Sequence, residues 1–232
     1  MPKHSKRVTA NSKQIDKTTR YGAVEAVALA RQYANAKFDE SLELHLQLGA
    51  DPAKGDQTVR GTCTLPHGTG KVPRVAVFAD GDSARQAEEA GADRVGSDDL
   101  VQAIMEGWDE FDILVAHPSM MRIVGPLGRK LGPRMPSKKS GNITEDIGTA
   151  VAELKGGKLE YRMDRGGGLH VGIGKLSFSD EQLVENLIAM MGVVIRARPA
   201  AVQGKFIKQA AIASTMGPGV RLDVDAVSAQ AK

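Results

Sequence analysis

Taken from the chain alone, the fold class is α+β. A discontinuous two-layer domain is built from both ends of the chain, with an α/β domain of doubly wound, Rossmann-like type (a parallel sheet) inserted into it. Three observations predict this. Leu42, Leu44, Leu46 and Leu48 alternate with Glu43, His45 and Gln47, the period-two pattern of an antiparallel strand with one buried and one wet face. Between 72 and 154 the texture changes to short continuous apolar runs separated by helical patterns, as in a parallel sheet covered on both faces. From 159 the half-exposed texture returns. The expected domains are therefore residues 1–67 with 159–232, and residues 68–158 between them.

In chain order, the first dozen or so residues form a polar basic arm (Lys3, Lys6, Arg7, Lys13). Tyr21, Val24, Val27, Ala28 and Arg31 stand at helical spacing, predicting a helix that ends near Asn35. Strands are expected over 41–49 and 57–65, separated by a turn-forming Asp-Pro-Ala-Lys-Gly-Asp. In the middle, 72–79 and 111–116 predict buried strands, Val95 a strand stub, and 83–90, 100–105 and 143–154 helices. Strands at 158–163 and 169–178 flank the Asp164-Arg165-Gly166-Gly167-Gly168 turn. Ser179, Asp180 and Glu181 cap a long helix to Ile195, with the acids at its positive end. Two strands, 206–213 and 220–224, close the chain around Ser214-Thr215-Met216-Gly217-Pro218-Gly219, a tip where glycine is expected to supply positive φ.

The 232 residues are enough for two domains, and 41% hydrophobic with 25% charged residues is the make-up of a soluble globular protein. A net charge of +3 permits a nucleic-acid partner without demanding one. Its distribution is more telling. Residues 1–67 and 159–232 hold 19 Lys/Arg against 14 Asp/Glu, whereas 68–158 hold 12 against 14, so the domain made from the two ends is the basic one. The single Cys63 excludes an intramolecular disulfide and a cysteine metal cluster, and is expected as a small core residue. With no secretory pattern at the start and no run long enough to span a bilayer, the expectation is a cytoplasmic protein without a membrane partner.

Catalytic motifs fail on inspection. Gly68-Thr69-Gly70-Lys71 imitates the end of a phosphate loop, but Leu65 stands where the first glycine belongs and Val72 where a hydroxyl must hold magnesium. Gly166-Gly167-Gly168 lies between strands instead of opening a helix. Asp80, Asp82, His117 and Pro118 lie at strand ends of the middle domain without a second group at telling spacing, which leaves a nucleotide-binding enzyme as the alternative class. The five histidines show no metal-ligand spacing; His45 and His170 fit better as hydrogen-bond donors to RNA. Arg129, Lys130, Arg134, Lys138 and Lys139 are the densest basic cluster, in a stretch whose glycines and prolines predict a long surface loop.

That stretch, Gly125-Pro126-Leu127-Gly128-Arg129-Lys130-Leu131-Gly132-Pro133-Arg134 with Met135-Pro136, resembles the signature of the L-one family of large-subunit ribosomal proteins, bacterial type. Lys37-Phe38-Asp39-Glu40-Ser41, Gln57-Thr58-Val59-Arg60-Gly61-Thr62, Leu65-Pro66-His67-Gly68-Thr69-Gly70-Lys71, Glu89-Ala90-Gly91-Ala92-Asp93, Tyr161-Arg162-Met163-Asp164-Arg165 and Ser214-Thr215-Met216-Gly217 follow in that family's order across essentially the whole chain. The chain departs from the pattern where Arg134 runs directly into Met135-Pro136 without an intervening Gly-Leu.

The resemblance implies a non-enzymatic constituent of the large ribosomal subunit, with no cofactor and no metal. Its implied partners are the large-subunit rRNA stalk near the tRNA exit site, the exit-site tRNA whose deacylated form it helps release, its own operon messenger, which it represses, and other ribosomal components. The implied RNA-binding residues are Lys37, Phe38, Ser41, His45, Asp164, Arg165, Gly166, His170, Ser214, Thr215, Met216 and Gly217. Phe38 would lay its ring on a sugar or base, Ser41 and Thr215 would exchange hydrogen bonds with 2′-hydroxyls, and Gly217 would admit close backbone approach. Met216 would pack on a ribose, Asp164 would fix the tip of a neighbouring turn, and Arg165 and Lys37 would meet phosphates.

Overall fold

Alternation in Ser41–Leu48 (β1) sends all four leucines inward, each at most 2% exposed. A computed structural model of the chain describes residues 9, 11, 15, 16 and 18–231, apart from the Lys139 side chain. The basic arm expected at Lys3, Lys6, Arg7 and Lys13 lies outside the described residues. Chain contacts divide the protein into two compact units, Met1–Gly70 with Glu160–Lys232, and Lys71–Leu159.

The first unit begins with a helix, Ala23–Gln32 (α1), and β1. It continues with Arg60–Thr64 (β2). In the second unit follow Val75–Phe78 (β3), Asp82–Glu89 (α2), Arg94–Gly96 (β4), Asp98–Glu106 (α3), Ile113–Ala116 (β5) and Ile147–Lys155 (α4). The chain returns through Lys158–Arg162 (β6) to Gly168–Lys175 (β7), Asp180–Arg196 (α5), Ile207–Ser214 (β8), Val220–Arg221 (β9) and Val224–Gln230 (α6).

In the first unit the sheet order is β7-β1-β8-β9, all antiparallel. Leu169, Val171 and Ile173 of β7 and Ala210 and Ile212 of β8 share the leucine face of β1, beneath a helical layer in which α1 packs on α5. Each fully buried leucine contributes about 1.5–3 kcal/mol relative to an exposed one. On α5, Leu183, Leu187, Met190, Met191 and Val194 make the 3–4 spaced stripe that meets the sheet. Its start is a full capping box: Ser179 Oγ accepts from the Gln182 N–H, the Gln182 side chain accepts from Ser179 N–H, and Asp180 and Glu181 face the positive end of the dipole. β2 and β6 form a separate two-stranded sheet, where Arg60 pairs with Glu160.

Three expectations need correction here. On α1 the buried face is Ala23, Ala26, Val27 and Ala30, while Val24 is 63% exposed, because small residues let the helix lie close to α5. Instead of a strand to Val224, β9 is only two residues long, and Asp223 then accepts from the Asp225 and Ala226 N–H groups to start α6. Neither Gly217 nor Gly219 has positive φ.

The second unit holds a parallel sheet of order β4-β3-β5. Ala76, Phe78, Leu114 and Ala116 face α3 on one side, while Val75, Val77 and Val115 face α2 and α4 on the other. The stretch expected as a long surface loop, Gly125 to Pro136, is folded as far as Arg134 into short helical turns that continue a run begun at Pro118. Val124, Leu127 and Leu131 are spaced to form one apolar stripe, which packs into the sheet and overrides the poor helix propensity of the glycines. Pro126 and Pro133 sit in first-turn positions, where a missing N–H is harmless. Two of its basic residues are held locally: Lys130 Nζ donates to the Met105 carbonyl at 2.6 Å, and Arg134 pairs with Asp109 over the Phe111 ring. His117, at the end of β5, accepts from the Ser119 N–H and so caps the first of these turns.

Candidate nucleic-acid interface

The tip after β8 is built on an acid. Glu40 is 2% exposed, and its carboxylate accepts from Ala36 N–H at 3.0 Å and from Met216 N–H at 2.9 Å. One buried side chain therefore clamps the loop that carries Lys37 and Phe38 to the loop that carries Met216. Asp39 adds a second tie, accepting from Ser177 N–H at 3.1 Å and Ser177 Oγ–H at 3.0 Å.

Thr215 sits across from Ser41. Its N–H donates to the Ser41 carbonyl at 3.1 Å, and its hydroxyl accepts from Ser41 N–H at 3.0 Å while donating to the same carbonyl at 3.3 Å. The hydroxyl thus extends the β1–β8 pairing by one rung, and keeps one lone pair for an outside donor. Gly217 N–H donates to the Ser214 carbonyl at 3.1 Å. A Cβ at Gly217 would meet Ser214 Oγ, so any larger residue there would have to turn that hydroxyl away. Ser214 itself is buried, with no hydrogen-bond partner for its hydroxyl among the described residues.

What this frame presents outward is apolar: Phe38 is 55% exposed and Met216 48%. At that exposure Phe38 is not a core aromatic, and its ring is available to a partner. Lys37 is exposed beside it.

A second group gathers at the other end of β1. Asp164 accepts from the N–H groups of Gly166 at 2.8 Å and Gly168 at 2.6 Å, closing its own turn and not that of a neighbour. Gly167 at φ +78° turns the corner, Gln47 Nε2 donates to the Gly166 carbonyl at 3.0 Å, and Arg165 is exposed at the apex. His170 Nε2 lies 3.6 Å from Asp164 Oδ2, and its Nδ1 is 2.8 Å from Nδ1 of His45, its cross-strand partner. At that distance one ring must donate and the other accept. Burial, and then the facing imidazole, push the His45 pKa below its usual value, against a smaller opposing pull from Glu43.

The twelve sequence-predicted residues thus fall into two clusters on one sheet: Lys37, Phe38, Ser41 and Ser214 to Gly217 at one end, and His45, Asp164 to Gly166 and His170 towards the other. At about 3.4 Å per residue, β1 separates its two ends by roughly 24 Å. Glu40 and Asp39, which hold the first cluster, were missed. Both lie in the Lys37-to-Ser41 motif beside Phe38, but an acid next to a candidate RNA surface draws no attention until it is seen to bind backbone.

The Gly168 and then the Gly166 N–H bonds hold the Asp164 carboxyl below the usual carboxylate range. Because the folded value is depressed, this stabilisation is present above the unfolded pKa near 4 and is lost as pH falls through the folded value. Asp164→Asn should therefore flatten the acid limb of a melting-temperature profile below about pH 4, leaving the neutral region parallel to the parent.

Comparison with known proteins decides the family. The model of the ribosomal protein L1p/L10e family matches residues 30–218. The large ribosomal subunit protein uL1 of Thermomicrobium roseum is 52% identical over 229 residues, covering 97% of this chain and 95% of that protein. Those of Kosmotoga olearia and Thermobifida fusca are each 50% identical, covering 96% and 99% of this chain and 97% and 99% of theirs. The chain belongs to the L1 ribosomal protein family. As a family member it is a structural constituent of the large ribosomal subunit, acts in translation in the cytoplasm, and is not an enzyme. Among the described residues no helix is long and apolar enough to cross a membrane.

Proposed function

We propose that the L1-family chain grips a folded segment of large-subunit rRNA, at the mobile stalk near the tRNA exit site, with the strip running from Phe38 and Met216 to the Asp164 turn. The unit made from both chain ends, 1–67 with 159–232, does the gripping. From that position the protein assists release of deacylated exit-site tRNA, and the same strip binds a mimic of the stalk in its own operon messenger and represses it.

One observation carries this reading. Phe38 and Met216 stand exposed on loops whose backbones are pinned by Glu40 and Thr215. Exposed apolar groups on a rigid frame lose little entropy on binding and suit the flat faces of ribose and base. Cations at Lys37 and Arg165 supply attraction to phosphate.

Titration of the full chain with a transcript of the stalk, and separately with ATP and NAD, tests the reading. The transcript should bind and raise the melting temperature, with affinity falling steeply as salt rises, while the nucleotides shift nothing. Absence of transcript binding at low salt would overturn it.

A further inference from the structure

The open face of the four-stranded sheet carries one cross-strand row, His170, His45, Ala211 and Arg221, each directly opposite the next. Strands lie about 4.8 Å apart, so the row crosses roughly 14 Å. Ala211, the small member, leaves a trough between the imidazoles and Arg221. A cavity of about 210 Å³ opens there, lined by Arg20, Lys208 and Arg221 together with His45, Gln47 and Gln209.

Two local irregularities bring the cations to it. The register of β1 with β8 shifts between Gln47 and Leu48, and beside that bulge Lys208 and Gln209 are both exposed, where simple alternation would turn one of them inward. Arg20 is delivered by the chain before α1: Tyr21 bridges to Leu222, with Tyr21 N–H donating to the Arg221 carbonyl at 3.0 Å and Asp223 N–H donating to that of Tyr21 at 2.9 Å.

Among the described residues no carboxylate pairs with Arg20, Lys208 or Arg221. The acids beside these residues are engaged elsewhere: Glu43 lies 3.9 Å from His45 Nε2, Asp164 3.6 Å from His170 Nε2, Asp223 accepts from the Asp225 and Ala226 N–H groups, and Asp225 pairs with Lys205. Three unneutralised cations converging on one concavity repel each other, and an anion seated there relieves the repulsion. The Gln47 and Gln209 amides that line the same concavity match sugar hydroxyls, which a free inorganic anion lacks.

We propose that this trough seats phosphodiesters of an RNA backbone. It extends the strip proposed above along β8, from the Thr215 end to Lys208 about 20 Å away, and it rests on that reading.

The test uses the full chain and the stalk transcript, with affinity measured across a salt series. The Lys208→Gln/Arg221→Gln double variant should lose about tenfold or more in affinity near physiological salt, and its log–log salt slope should shrink by about 1.4–1.8, two phosphate contacts' worth. Arg85→Gln/Arg122→Gln removes the same charge from exposed positions of the other unit and should match the parent in slope. Met216→Ala should weaken binding at every salt concentration without changing the slope. Lys208→Gln alone, at an exposed position, should shrink the slope by about 0.7–0.9 and decides the matter if the double variant folds poorly. A parental slope in the Lys208 variants, or an equal loss in the charge-matched control, overturns the trough. If Met216→Ala still weakens binding in that case, only the trough falls; if the parent itself fails to bind, the proposed function fails first.

Discussion

Replacing Met216 by Asp should lower affinity for the stalk transcript by about 3 kcal/mol, on the order of a hundredfold, and leave the melting temperature within a degree or two of the parent. The estimate combines the apolar surface that methionine buries on binding, about 1.5–3 kcal/mol, with repulsion of roughly 1 kcal/mol between the new carboxylate and a phosphate. Folding should be spared because the side chain is 48% exposed, while its backbone N–H, the group Glu40 holds, is unchanged by the substitution. Thr215→Ala should weaken binding less, by about 1–2 kcal/mol, since it removes the extra rung to Ser41 that fixes the tip. Filter binding and a thermal melt on the same preparations read both quantities. Parental affinity in both variants would sink the assignment of the tip.

Glu40→Ala should cost about 3 kcal/mol of stability and weaken RNA binding as well. Hydrogen bonds to a charged partner are worth about 1.5–3 kcal/mol each, and truncation orphans two backbone donors, at Ala36 and Met216, one on each loop of the interface. Glu40→Gln keeps one acceptor oxygen and should lose about half as much. In urea the midpoint should fall at constant slope, because the compactness of the unfolded chain does not change. An unchanged midpoint for the alanine variant would show that the clamp contributes nothing. An acid beneath an RNA surface sets a long-range repulsion against local order; here the carboxylate is buried and meets two N–H groups, so the ordering effect should dominate.

The leucine alternation of β1, the capping box of α5 and the apolar runs of β3 and β5 are local patterns, and each element formed close to where its residues predicted it. The same holds for the ordered motifs that mark the family, since they are strings of neighbours. What the sequence by itself determined was therefore the locally patterned elements, the inward face of β1 and the family. The tertiary structure alone decided which distant residues meet. Glu40 reaches Met216 across 176 positions, and His45 meets His170 across 125. No periodicity encodes such a pairing, because it follows from sheet register. The folded stretch from Pro118 to Arg134 makes the same point: glycines and prolines set a local preference for loop, and a sheet with an apolar face to cover reversed it. At the tip after β8, glycine signalled a positive φ that is not there; what crowds position 217 is the Ser214 hydroxyl, a close approach that exists only once the strand is in place.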